Sequence, residues 1–305
     1  MPWTTASIPD QSGRLVLVTG ANSGLGLETC RALVSRGATV LMGCRSLQRG
    51  EAARQALLPD LRGGALDLLE LDLSDLGQVR SAARTVADRY GRLDLLINNA
   101  GVMAPPRTLS RDGFELQFAT NHLGHFALTL ALLPLLEGRA GTRVVHVTSG
   151  AQYFGRISFD DLQGERRYDR WSAYGQSKLA NVMTAVELQR RLQDRGSEVL
   201  SLAAHPGLAR TNLQPSSVAR NGSTLEALAY RLMDPLFQSA AMGALPQLFA
   251  ATAPEAVPSG HYGPDRLGGL KGHPKPVPMA PAAWDAGQRQ RLWEISEELA
   301  GVALA

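Results

Sequence analysis

Tyr174 and Lys178 stand four residues apart in a stretch whose apolar spacing predicts a helix over 173–195, so both side chains share one helix face. An ammonium beside a phenol favours the phenolate. That equips the tyrosine to pass a proton to or from an oxygen, as carbonyl–alcohol chemistry requires. Of the 31 basic residues only Lys178, Lys271 and Lys275 are lysine, and the other 28 are arginine. A guanidinium does not release its proton, so a lysine in this slot argues against chance spacing. Ser149, just past an apolar run, can hydrogen-bond the same substrate oxygen. Asn121, in the helix expected after the fourth strand, can hold a water that links Lys178 to solvent. Tyr153 and Trp171 join Ser149 and Tyr174 as candidate substrate contacts.

These groups need a frame, and the chain supplies one. Apolar, β-branched runs at 15–18, 39–42, 66–71, 93–97, 143–147 and 198–202 alternate with helical patterns at 25–36, 47–57, 76–90, 112–136 and 173–195. Continuously apolar strands alternating with amphipathic helices predict an α/β fold, a doubly wound parallel sheet with ligands at the carboxyl ends of its strands. After His205-Pro206-Gly207 the texture changes. Residues 208–258 read as an apolar helical cap over the substrate, in which 225–253 is either a lid over a lipophilic pocket or a packing surface for another subunit; a membrane-surface helix comes third, because its polar face carries too few cations. The Gly/Pro-rich stretch 263–282 reads as loop, and a last helix is expected over 284–299. The whole chain, 1–305, reads as a single domain, with a cofactor half over 14–150 and a catalytic and substrate half over 151–305.

The first strand runs directly into Thr19-Gly20-Ala21-Asn22-Ser23-Gly24-Leu25-Gly26 and then a helix. Glycines there allow a tight turn and close approach of a pyrophosphate to the helix N-terminus, so Gly20, Asn22, Ser23, Gly24, Leu25 and Gly26 are dinucleotide candidates. No Asp or Glu lies between Glu28 and Glu51 to accept bonds from a ribose 2′-hydroxyl; the second strand runs out at Arg45 instead, which suits a 2′-phosphate and so NADP(H). Asp72, followed by Leu73, is placed to bond the adenine amine. Asn98, Ala100 and Gly101 follow the fourth strand where the cofactor would cross the sheet edge.

Composition narrows the rest. The chain has 305 residues, 44% hydrophobic, and 31 basic against 28 acidic residues leave +3, with no like-charge run to bind nucleic acid. Cys30 and Cys44 are too few for a disulfide framework or a cysteine-built zinc site and fit a reducing compartment. His122 and His125 have no carboxylate or cysteine cluster around them and read as helix packing, so no metal is expected. The first 15 residues lack a signal-peptide core, and the longest apolar stretch, 126–136, is about half a membrane span. A soluble, cytoplasmic protein without a transmembrane segment is expected.

In order and spacing, TGANSGLG, NNAG, Asn121, Ser149, YGQSK and HPG resemble the short-chain dehydrogenase/reductases, a Rossmann-fold family. NNAGVM, TNHLGHF, ISFDDLQGERRY, YGQSKLANV and LWEISEELAG resemble its retinol dehydrogenase-like branch, as does the 25-residue step from Ser149 to Tyr174. The resemblance implies about seven strands in the order 3-2-1-4-5-6-7. It implies Asn121, Ser149, Tyr174 and Lys178 as a catalytic tetrad. It also implies cofactor contacts from Gly20, Ser23, Gly26, Arg45, Asp72, Asn98 and Thr211, with Pro206 and Gly207 beside them and Tyr174 and Lys178 at the nicotinamide ribose. The implied activity is NADP-dependent interconversion of a lipophilic carbonyl and its alcohol, such as a retinoid, apocarotenal or steroid. Homodimers or homotetramers through the Tyr174 helix are common in the family. Two alternatives stand beside it. Light-dependent protochlorophyllide reductase shares the TNHLGHF segment but uses a cysteine near its substrate. A non-catalytic NADP(H)-binding sensor or scaffold would need no Tyr174–Lys178 pair.

Overall fold

A computed structural model describes residues 2–210 and 237–304. Its strands are β1 Leu15–Thr19, β2 Thr39–Cys44, β3 Ala65–Glu70, β4 Leu95–Asn98, β5 Arg143–Val147, β6 Leu200–Ala204, β7 His261–Arg266 and β8 Lys271–Pro276. They form one sheet in the order β3-β2-β1-β4-β5-β6-β7-β8, parallel except for the antiparallel β7–β8 pair. The main helices are α1 Gly24–Val34, α2 Leu47–Leu57, α3 Leu76–Tyr90, α4 Leu116–Phe118, α5 Gly124–Leu136, α6 Arg170–Asp194, α7 Ala240–Thr252 and α8 Ala286–Ala300.

Alternation along each buried strand feeds two apolar layers. In β1, Val16 and Val18 pack with Leu33, Leu248 and Ala251 on the α1–α7 side, whereas Leu15 and Leu17 pack with Val79, Phe126 and Leu133 on the α3–α5 side. Both faces are therefore dry, which is why these strands read as unbroken apolar runs. Helix starts are fixed locally. Asp75 accepts from Gln78 N at the head of α3, Asp169 from Ser172 N at the head of α6, and Gly91 ends α3 in the left-handed region.

Four expectations need correction. The stretch 263–282 is not loop throughout. Most of it folds as the β7–β8 hairpin around Leu267-Gly268-Gly269-Leu270, with Pro274 and Pro276 tolerated on the edge strand. This raises the count to eight strands. The helix expected over 112–136 begins at Leu116 and passes through a π-turn, Ala119–Leu123, before α5. The last helix begins at Ala286, after a 3-10 turn that ends at Trp284. Of the expected cap, 211–236 lies outside the described residues, but Ala240–Thr252 is a core helix. A Cβ at its Gly243 would come within 2.8 Å of Leu25 on α1, so α7 packs under the sheet as a wall.

The outward face of the α5–α6 pair is covered by α8. Trp293 is buried against Phe126 with ring centroids 4.8 Å apart, the Arg191 guanidinium lies 4.6 Å over its ring, and Ser296 bonds His122 at 2.8 Å.

Candidate active site

The carboxyl ends of β1, β4 and β5 converge with α6, as the doubly wound topology requires. After β1, Gly20 and Gly24 adopt positive φ (66° and 55°), and a Cβ on Gly26 would overlap the Gly20 carbonyl. The glycines thus bring the α1 N-terminus against the strand end. Ser23, the residue before α1, makes no side-chain cap bond, so the first N–H groups of that helix are not satisfied by their own cap. Asn22, Ser23 and Gly24 are half-buried, and Leu25 is buried beneath them. An uncapped helix start in a glycine cradle suits a phosphate.

At the end of β2, Arg45 and Arg49 are exposed, and neither forms an ion pair among the described residues. Neighbouring arginines differ: Arg31 is held by Glu28 and Asp60, Arg54 by Glu51, and Arg89 by Asp67. Asp72 is half-buried and accepts from the Ser74 amide and hydroxyl at 2.9 and 2.6 Å, and Leu73 is buried beside Gly124. Asn98 departs from expectation. Its amide donates to Thr129 Oγ1 at 2.8 Å inside the core, so its side chain points away from the cofactor loops. Ala100 and Gly101 do face that region: a Cβ on Gly20 would sit 3.0 Å from Ala100, and one on Gly101 would sit 3.2 Å from Asn121 Oδ1 and 3.4 Å from Lys178 Nζ. Thr211 lies outside the described residues.

Tyr174 and Lys178 are both buried on α6, with Nζ 5.7 Å from the tyrosine ring centroid. Lys178 Nζ donates to Val147 O at 3.3 Å, and burial pushes its pKa down to about 8. An amine that titrates there exchanges protons near neutrality. Ser149 Oγ accepts from Ala151 N at 3.2 Å, which leaves its own proton for a substrate oxygen. Asn121 has less freedom than expected. Its Oδ1 accepts from Val102 N, and its Nδ2 donates to Val102 O and Ser177 Oγ. Every polar atom of that side chain is occupied, and its visible role is to fasten the loop after β4 to α6.

Ser149 and Tyr174 open into a cavity of about 1020 Å³. Its walls include Met103, Phe154, Trp171, Leu208, Phe237 and Leu270, a predominantly apolar lining. Trp171, edge-on to Tyr174 at 6.2 Å, and Tyr153, which donates to Pro278 O at 2.6 Å, both line the space. Gly207 lines it too, where a Cβ would overlap Leu270 O; Pro206 O accepts from Gln238 at 2.8 Å. The β7–β8 hairpin forms one side of the cavity. No sequence candidate lay there, although Gly-Gly between two short runs is a hairpin signal. Cys30 and Cys44 are buried in the core and do not line the cavity, which removes the basis for the protochlorophyllide reductase reading. Among the described residues no cluster of His, Cys, Asp or Glu could hold a metal ion, and no helix is long and apolar enough to cross a membrane.

Comparison with known proteins agrees with this geometry. Residues 14–222 match the family model for short chain dehydrogenases. Mouse retinol dehydrogenase 12 is 41% identical over 98% of this chain and 89% of its own length; the human protein is 42% identical over 95% and 87%. Among solved structures, an uncharacterized protein from Mycobacterium paratuberculosis superposes with a TM-score of 0.82 at 42% identity, covering all of both chains. The chain belongs to the short-chain dehydrogenase family of oxidoreductases, in its retinol dehydrogenase-like branch.

Proposed function

We propose that this protein is an NADP(H)-dependent oxidoreductase that interconverts a lipophilic aldehyde or ketone, such as a retinoid-like aldehyde, with its alcohol. The observation that carries the reading is the placement of Ser149 and Tyr174 in one apolar cavity, beside the glycine cradle after β1. The cradle and the uncapped start of α1 fit a dinucleotide. Gly20, Ser23 and Gly26 would hold its pyrophosphate, and Asp72 its adenine. Arg45, with Arg49 beside it, would hold a 2′-phosphate. Glu70, in register with Cys44, is exposed and makes no ion pair with Arg45 among the described residues.

When bound, the reduced dinucleotide supplies a hydride to the carbonyl carbon. Tyr174 donates its proton to the carbonyl oxygen, which Ser149 Oγ–H holds by a second hydrogen bond. Lys178 replenishes that proton and would hold the nicotinamide ribose. The apolar walls keep bulk water from the reacting oxygen. Oxidation of the alcohol runs the same steps backwards. The likeness to retinol dehydrogenases favours a retinoid-sized substrate, and the cavity has room for one.

The test is loss of NADPH absorbance with retinal, a medium-chain aldehyde and a steroid ketone, with NADH in parallel. Turnover of one of these with NADPH strongly preferred is the expected result. Tight NADPH binding without turnover on an extended carbonyl panel would favour the sensor reading and overturn this one.

A further inference from the structure

His125 is buried in the first turn of α5, and the mechanism above does not use it. Both ring nitrogens are engaged. Nδ1 lies 3.0 Å from the carbonyl oxygen of Asn121, and Nε2 lies 2.8 Å from Thr19 Oγ1. A carbonyl only accepts, so Nδ1 carries the hydrogen and Nε2 accepts from the threonine hydroxyl. The count at Thr19 agrees. Its oxygen accepts from Asn99 N and Ala100 N, each at 2.9 Å, which uses both lone pairs. Its one hydrogen then goes to His125 at 2.8 Å in preference to Ile97 O at 3.5 Å. Burial pushes the His125 pKa down to about 4, so the neutral ring persists at pH 7.

One imidazole therefore ties three segments together. Thr19 immediately precedes the glycine cradle. Asn99 and Ala100 belong to the loop after β4, and Asn121 sits in the π-turn that fastens this loop to α6. We propose that His125 is a positioning residue, whose two ring bonds fix the spacing between the dinucleotide cradle and the turn that carries Asn121. A π-turn is a local departure from helical geometry, and a bond to its carbonyl is a direct way to hold it in one form. The inference rests on the functional reading above, and it divides into two halves that can be tested apart.

His125→Asn keeps a donor where Nδ1 stands, and His125→Gln keeps an acceptor where Nε2 stands; His125→Phe keeps the volume and neither bond. NADPH affinity is read from the fluorescence of the bound cofactor, turnover from the carbonyl panel, and folding from thermal melts of every variant. His125→Phe is expected to lose about tenfold in both NADPH affinity and kcat, with substrate KM little changed. His125→Asn should restore kcat ahead of affinity, and His125→Gln affinity ahead of kcat. Equal losses in Asn and Gln variants that track only the melting temperature would overturn the proposal, as would unchanged affinity and kcat in folded His125→Phe. Should the wild-type protein bind NADPH yet turn over no carbonyl, the functional reading fails separately. The affinity of the Phe variant then decides the cradle half, which is overturned if it equals the wild type's.

Discussion

Acidification from pH 7.5 to pH 5 removes most of this protein's stability if the buried histidines behave as their surroundings dictate. His122, His146 and His205 are driven down to about 3, and His125 and His261 to about 4, in each case chiefly by burial. In the unfolded chain an imidazole titrates near its ordinary 6.5. The unfolded state therefore binds more protons between 6.5 and the folded values. Stability is fully present above pH 6.5 and is lost as pH falls towards 4. At pH 5 each ring costs about 2 kcal/mol by this linkage, so five together cost about 10 kcal/mol, comparable with the whole stability of an ordinary domain. The assay is urea unfolding at half-unit steps of pH, read by circular dichroism. His146→Leu adds a control: its Nε2 is buried without a hydrogen-bond partner among the described residues, so removing the ring should flatten the pH slope by about one proton. Stability that stays level between pH 7.5 and 5, or NMR titration of these rings near 6.5, would refute the reasoning.

Other predictions follow from single contacts. Arg45→Ala should weaken NADPH by about ten- to a hundredfold and leave NADH nearly unchanged, measured as the ratio of kcat/KM values. Gly101→Ala places a Cβ 3.2 Å from Asn121 Oδ1 and 3.4 Å from Lys178 Nζ, so kcat should fall about tenfold while the fold persists by melting temperature. Trp293→Ala should cost about 3–5 kcal/mol in urea unfolding, because it empties the contact with Phe126 that holds α8 over α5 and α6. Since α8 occupies that face, light scattering should show no association through it in the wild-type protein.

The parts of the fold set by periodicity were legible. Strands buried on both faces announce themselves as apolar runs, and six of the eight strands and the long helices fall within a few residues of where the sequence placed them. The Tyr174–Lys178 pair was legible because a helix turn fixes one relative to the other, and a nearly lysine-free chain marks it. The β7–β8 hairpin was not, since Pro264, Pro274 and Pro276 mask a strand that needs few ladder bonds on an edge. Tertiary packing hid the rest. Nothing local tells Asn98 to bond Thr129 rather than a cofactor. Nothing in the spacing of His122 and His125 says that one bonds Ser296 and the other bridges Thr19 and Asn121. The same holds for α7, whose Ala-rich, Pro-containing sequence suits a lid as well as the core position it takes.

The central claim is that Tyr174 is the proton donor to a carbonyl held in the cavity beside a bound dinucleotide. Tyr174→Phe removes one oxygen and keeps the ring that packs edge-on to Trp171. Turnover of the best carbonyl and NADPH affinity should be measured on the same preparation. The account predicts that kcat falls by a factor of about a hundred or more while NADPH affinity stays within about threefold. A variant that turns over at the wild-type rate would contradict it.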